Sequence, residues 1–308
     1  MNETIYKNVV DNEIERLESF NRSCSTLSKY SRNLNLLALR EKIDRVYGRD
    51  TQIQQIMRIM LRKTKSNVIL TGLAGCGKTA IAEGLAYEIA TSRAEYIAKH
   101  YENCENAAPV SELLFSDYVI YDLSMNALVS GSRYRGDFEE RLQYILTEIS
   151  KHSNVIVFID EIHQINDIGG AEGTNTMGQI LKPALARGDI RIIGATTTDE
   201  YEFIKKDKAL ARRFCEIAIP ELTGENALRC FENIVLDYGK YHEVKTKEVD
   251  CKAIMETVAR TMPKTVFPNN VIDIIDETFA AARFDKKENI TMTDINKTIS
   301  RIAGCLIT

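Results

Sequence analysis

No stretch of this 308-residue chain approaches the roughly 18 consecutive apolar residues that a membrane-spanning helix needs, so no membrane partner is expected. The first twenty residues, MNETIYKNVVDNEIERLESF, lack a cationic segment followed by an apolar one, which argues against a secretory signal. A basic surplus is also missing. Forty Lys and Arg stand against 44 Asp and Glu, a net charge of −4, so a broad nucleic-acid-binding surface is not expected. The seven cysteines (Cys24, Cys76, Cys104, Cys215, Cys230, Cys251, Cys305) are odd in number and never spaced as CxxC. They suit a reducing, cytoplasmic setting rather than a disulfide framework or a zinc site. The four histidines form no ligand pair, and neither an internal repeat nor a Pro-rich linker interrupts the chain.

What is present is ordinary globular composition, 44% hydrophobic and 27% charged, at a length that suggests two domains. Residues 1–31 are polar with sparse apolar positions (Ile14, Leu17, Phe20) and read as a short helix and a tether. Residues 32–220 alternate apolar runs with amphipathic ones. Strands are predicted at 67–71, 118–122, 155–159, 191–195 and 216–219. Phe138, Leu142, Ile145, Leu146 and Ile149 form one stripe of a helix. Strands separated by helices predict an α/β domain with a five-stranded parallel sheet covered on both faces. Residues 221–308 carry only helical patterns, near 224–238, 249–261, 268–283 and 292–303, with Thr293-Asp294 as a cap, and predict a small all-α domain.

Gly72, Leu73, Ala74, Gly75, Cys76, Gly77, Lys78 and Thr79 match GxxxxGK[ST], between an apolar strand and a helical run. That context is what a phosphate-binding loop requires. Its glycines let backbone N–H groups curl around phosphate, and the following helix N-terminus adds partial positive charge. Lys78 is placed to reach the β- and γ-phosphates and Thr79 to ligate Mg²⁺. Downstream, Val155–Ile159 ends in Asp160 and Glu161. In this pattern Asp160 holds Mg²⁺ through water, and Glu161 orients or deprotonates the attacking water. An acid pair after a phosphate loop is a hydrolysis signature, whereas alone it reads equally as a solvated turn. His163 reads as packing at a turn, Cys76 as filler, and His100 and His152 as solvated.

Further blocks occur in order: Val46–Asp50, Arg135–Leu142, Phe158–His163, Leu181–Gly188, Gly194–Thr197 and Arg212–Phe214. With the phosphate loop they resemble the first ATPase module of the Clp-type AAA+ chaperones (ClpA, ClpB, ClpC), from about Asn33 to Gly304. The resemblance implies a P-loop AAA+ fold with a helical lid, ATP and Mg²⁺ as ligands, and a homo-oligomeric, hexameric ring. It implies ATP hydrolysis between subunits and threading of polypeptide through a central pore. By position, Tyr134 flanked by Arg133 and Arg135 resembles the substrate-gripping pore loop, and Ala171–Gly173 a weaker second one. Thr197 resembles the first sensor, Arg212 and Arg213 the fingers that reach a neighbour's nucleotide, and Val46 and Tyr47 the flanks of the adenine. Asn270 stands where the family has a lysine.

No large N-terminal domain, coiled-coil insertion or second module is recognised in the chain, and a Clp peptidase partner is therefore not expected. Two other functions share these motifs. One is a nucleotide-gated scaffold with slow hydrolysis, and the other is a nucleic-acid motor, which the net charge disfavours.

Overall fold

Runs centred on valine, isoleucine and other apolar residues build strands buried on both faces. In the computed structural model β2 (Asn67–Thr71) and β4 (Val155–Ile159) are buried throughout. The structure describes residues 3–100, 113–130, 135–166 and 176–304. The chain divides into two compact units, one of Met1–Val46, Thr51–Thr71 and Lys78–Ala218, the other of Tyr47–Asp50, Gly72–Gly77 and Ile219–Thr308.

The sheet of the first unit adds β1 (Ser31–Asn33), β3 (Val119–Leu123), β5 (Arg191–Thr196) and β6 (Phe214–Ala218) in the order β1-β3-β4-β5-β2-β6. The five expected strands form and pair in parallel. The expectation of a five-stranded sheet needs one correction, because β1 adds a sixth strand antiparallel to β3, pairing Arg32 with Asp122. Three residues carry too little pattern to read as a strand; the edge of β3 supplies their partners. The last strand also begins two residues earlier than its apolar run, since Phe214 pairs with Asn67.

Residues 1–31 are more than a helix and a tether. Helix α1 (Glu3–Ser23) packs along α5 (Lys78–His100), burying Val9, Glu13 and Leu17 at i, i+4 and i+8. The buried Glu13 is paired with Arg16 and with Arg93 of α5, at 2.7 and 2.8 Å. Asn21 Oδ1 accepts from Asn33 Nδ2 and from the buried Tyr121 hydroxyl, so α1 is tied to β1 and β3. The short α2 (Ser25–Tyr30) has no cap of its own; Glu148 of α7 (Arg135–Ser150) accepts the N–H groups of Thr26 and Leu27. Also in this unit are α3 (Leu34–Leu39), α4 (Asp50–Met60, all but its first residue), α6 (Met125–Val129), α8 (Met177–Arg187), α9 (Thr198–Lys206) and α10 (Lys208–Ala211).

In the second unit α11 (Gly224–His242), α12 (Cys251–Thr261), α13 (Asn269–Phe284) and α14 (Met292–Ala303) enclose a core that includes Phe231, Ile254, Phe267, Ile274, Phe279 and Ile299. The cap of α14 lies two residues before the expected pair. Thr291 is the N-cap and Asp294 closes a capping box. Among the described residues no helix is long and apolar enough to cross a membrane.

Candidate functional site

The C-terminal ends of β2, β4 and β5 place the polar residues of the first unit. Parallel strands leave their last residues at one rim, where an α/β sheet presents its chemistry. Lys78 and Thr79 open α5, and Asp160 and Glu161 follow β4. The Thr79 hydroxyl donates to Asp160 Oδ2 at 2.7 Å, so residues 81 positions apart in sequence meet. Two hard oxygens this close suit Mg²⁺, which is held by one or two protein oxygens together with substrate phosphates. Lys78 is buried.

Glu161 has φ +50, a left-handed conformation that costs a side-chain-bearing residue roughly 1–3 kcal/mol and is held where the surroundings demand it. Its N–H donates to Asp160 Oδ1 at 3.0 Å. Burial pushes the Glu161 carboxyl above the ordinary glutamate value, and the charges of Glu200 and Asp160 add to that rise; His163 and Lys78 oppose it. A cavity of about 500 Å³ opens beside the acid pair, lined also by Arg32, Asp122, Ser124 and Gln164.

Thr197, expected at the end of its strand, is the N-cap of α9. Its hydroxyl donates to Glu200 Oε2 at 2.6 Å and accepts the Glu200 N–H. Those Thr197 contacts draw the Glu200 carboxyl below its usual range. His163 does more than pack. Its Nδ1 lies 3.0 Å from Thr196 Oγ1, 3.3 Å from Glu200 Oε2 and 3.4 Å from Glu161 Oε2. Sequence reasoning passed over Glu200, whose only signal is the Thr-x-x-Glu spacing of a capping box.

Arg212 and Arg213 follow α10 directly and are exposed. Among the described residues neither guanidinium pairs with a carboxylate. Val46 lies against Gly84 of α5, close enough that a Cβ there would meet Val46 Cβ at 2.8 Å.

In the second unit, Gly75 and Gly77 hold φ +79 and +90. A Cβ on Gly72 would lie 2.5 Å from the Ile219 carbonyl oxygen, so only glycine fits. The buried Arg49 guanidinium donates to the carbonyls of Cys76 and Pro220 at 2.7 and 2.8 Å, fixing the loop. Leu73 and Ala74 are exposed, and Cys76 is buried. The Tyr47 hydroxyl donates to Asp237 at 2.8 Å, and its ring packs on the helical core. Asn270 Nδ2 donates to Thr265. Arg133, Tyr134 and Ala171–Gly173 lie outside the described residues, as does the side chain of Arg135.

A profile described as the ATPase family associated with various cellular activities (AAA) matches residues 68–222, and one for an AAA lid domain matches residues 223–304. The chain belongs to the AAA ATPase family. It is 41% identical to the chaperone protein ClpB of Aquifex aeolicus over 260 residues, 84% of this chain and 24% of that protein. It is 40% identical to the chloroplastic chaperone protein ClpC2 of Arabidopsis thaliana over 266 residues, 86% of this chain and 26% of that one. A closed-state structure of Hsp104 with ATPγS and FITC-casein superposes with a TM-score of 0.74 at 31% identity, covering 91% of this chain and 45% of that chain. This AAA chain therefore spans about a quarter of those two chaperones and under half of the Hsp104 chain, and over the aligned region it is a Clp-type AAA+ module.

Proposed function

We propose that this AAA chain binds ATP with Mg²⁺, hydrolyses it at an interface between copies arranged in a ring, and uses the cycle to remodel polypeptide in the cytoplasm. The observation that carries the reading is the meeting of Lys78 and Thr79 with Asp160 and Glu161 at one rim of the sheet, with Thr79 bonded to Asp160. Bound by Thr79 and Asp160, Mg²⁺ would neutralise phosphate charge. Gly72–Gly77 supply backbone N–H groups to the phosphates, and Lys78 adds a fixed positive charge.

Glu161 orients a water and takes its proton as the water oxygen attacks the γ-phosphorus. The bond from that phosphorus to the β–γ bridging oxygen breaks, leaving ADP and inorganic phosphate. A carboxyl raised by burial is a better base near neutral pH than an ordinary one. Arg212 and Arg213 support action in trans, since both are exposed cations that no carboxylate of the described residues neutralises. The structures and proteins it resembles are chaperones, which favours polypeptide over nucleic acid as the substrate.

The test is light scattering of Glu161→Gln with and without ATP, together with its phosphate release. The expected result is a ring of about six copies that holds ATP, with turnover lowered about 10²- to 10⁴-fold. Hydrolysis at the wild-type rate removes Glu161 as the base. A persistent monomer removes the ring and leaves the nucleotide-gated scaffold.

A further inference from the structure

We propose that His163 is a positioning residue for Glu161, tying the base to the residues at the end of β5 through Thr196 and Glu200. The inference rests on the ATPase reading above and deepens it. The bonds around the ring have one consistent direction. Glu200 Oε2 receives the Thr197 hydroxyl at 2.6 Å, the Thr197 N–H at 3.1 Å and the Thr196 hydroxyl at 3.2 Å. With its proton given to Glu200, the fully buried Thr196 oxygen is left to accept, which places the imidazole proton on Nδ1 of His163. That single N–H faces three oxygens, and its hydrogen bond goes to Thr196. Glu161 Oε2 and Glu200 Oε2 lie 3.4 and 3.3 Å from the same nitrogen, drawn by the partial positive charge of its N–H rather than by a hydrogen bond to it.

The backbone keeps this cluster together. Ile162, between the base and His163, lies flush on β5, where a Cβ on Gly194 would come within 2.4 Å of Ile162 Cδ1. Glu161 in turn is pinned at φ +50 by Asp160. With the main chain fixed at both residues, the freedom left to the half-exposed Glu161 carboxylate is in its side chain, and His163 Nδ1, 3.4 Å from Oε2, is a neighbour that restrains it. Thr197 has one hydroxyl proton, and here it serves Glu200. If that hydroxyl turned to a phosphate oxygen, Glu200 would lose its shortest donor and draw the His163 N–H toward itself, weakening its attraction for Glu161. The chain Thr197–Glu200–Thr196–His163 thus connects the candidate sensor to the base in five side chains.

The experiment is single-turnover ATP hydrolysis with protein in excess, beside ATP affinity from titration with a fluorescent ATP analogue. His163→Ala is expected to slow the step about 10- to 100-fold, the usual effect of a misplaced group, with affinity changed less than about twofold. His163→Asn, whose amide N–H replaces Nδ1–H, should recover most of the rate. Glu200→Gln keeps an acceptor for the cap but removes the charge, and should slow the step similarly. The double variant His163→Ala/Glu200→Gln should be no slower than about twofold below His163→Ala, because the residues act as one unit. A wild-type rate in His163→Ala, losses that multiply in the double variant, or a loss explained wholly by affinity overturns the inference. If His163→Ala does not fold, wild-type rates in both His163→Asn and Glu200→Gln overturn it, and a slow Glu200→Gln beside a fast His163→Asn supports it. Glu161→Gln run in parallel separates the two levels. If it hydrolyses ATP normally, the base reading falls; if it is inactive while His163→Ala is fully active, only the positioning role falls.

Discussion

Lys182 Nζ of α8 lies 2.5 Å from Asp207 Oδ2, while Oδ1 of the same carboxylate accepts the N–H groups of Ala209 and Leu210. One side chain therefore caps α10 and fastens it to α8. A helix of four residues cannot hold itself together. This one is fixed by Asp207 at its start and by Leu210, fully buried, in its middle. Arg212 and Arg213 come immediately afterwards, so their direction is set by that cap.

Asp207→Ala should cost about 1 kcal/mol of stability in urea unfolding, the usual loss of an N-cap. Asp207→Asn keeps the capping oxygen and gives up a partly exposed ion pair, so its loss should be a few tenths of a kcal/mol. Equal losses in the two variants would show that the ion pair, rather than the cap, holds α10.

Arg212→Ala and Lys78→Ala should each lose hydrolysis on their own, the finger variant by about 10³-fold if it behaves as other phosphoryl-transfer arginines do. Mixed together, they should regain part of the activity, because some interfaces then combine an intact loop with an intact finger. Phosphate release across a series of mixing ratios measures this. A strictly flat response at every ratio would falsify action in trans.

Leu17→Ala should destabilise the protein by about 2–5 kcal/mol, since Leu17 is 1% exposed in the contact of α1 with α5. Denaturant unfolding checks this. A silent Leu17→Ala would mean that residues 1–31 are a tether after all.

The Asp294 carboxyl is held below its usual range, first by its bond to Lys287 and also by the Thr291 capping contacts. The folded state therefore binds this proton less readily than the unfolded chain. Its contribution is present above the ordinary aspartate value and is lost as pH falls through the folded one. Between pH 5 and pH 3, wild type should lose more stability than Asp294→Asn, measured as the shift of the urea midpoint. The same loss in both would remove Asp294 as a source of acid sensitivity.

The strands and helices that bury both faces or one whole stripe were legible in advance. Val155–Ile159 and Asn67–Thr71 fall where their apolar runs fall, and the four helices of the second unit begin within about two residues of their patterns. The loop and the acid pair were legible because their chemistry requires fixed local spacing. Glu13 was not, because a charge in the middle of a helical stripe hides burial until Arg93, 80 residues away, is brought beside it. Strand β1 was not, because three residues have no period. Glu200 escaped notice, and His163 read only as packing at a turn, for a similar reason: neither sits in a local pattern that announces the other.

The order of residues alone determined where the longer strands and helices fall and where phosphate-binding and acidic groups lie along the chain, because those properties arise from neighbours within a few positions. Only the tertiary structure decided that Thr79 bonds Asp160, that His163 stands among Thr196, Glu200 and Glu161, and that α1 is part of the α5 core. Those contacts join residues from separate strands and helices, and their partners are fixed by the register and order of the sheet rather than by any repeat in the sequence.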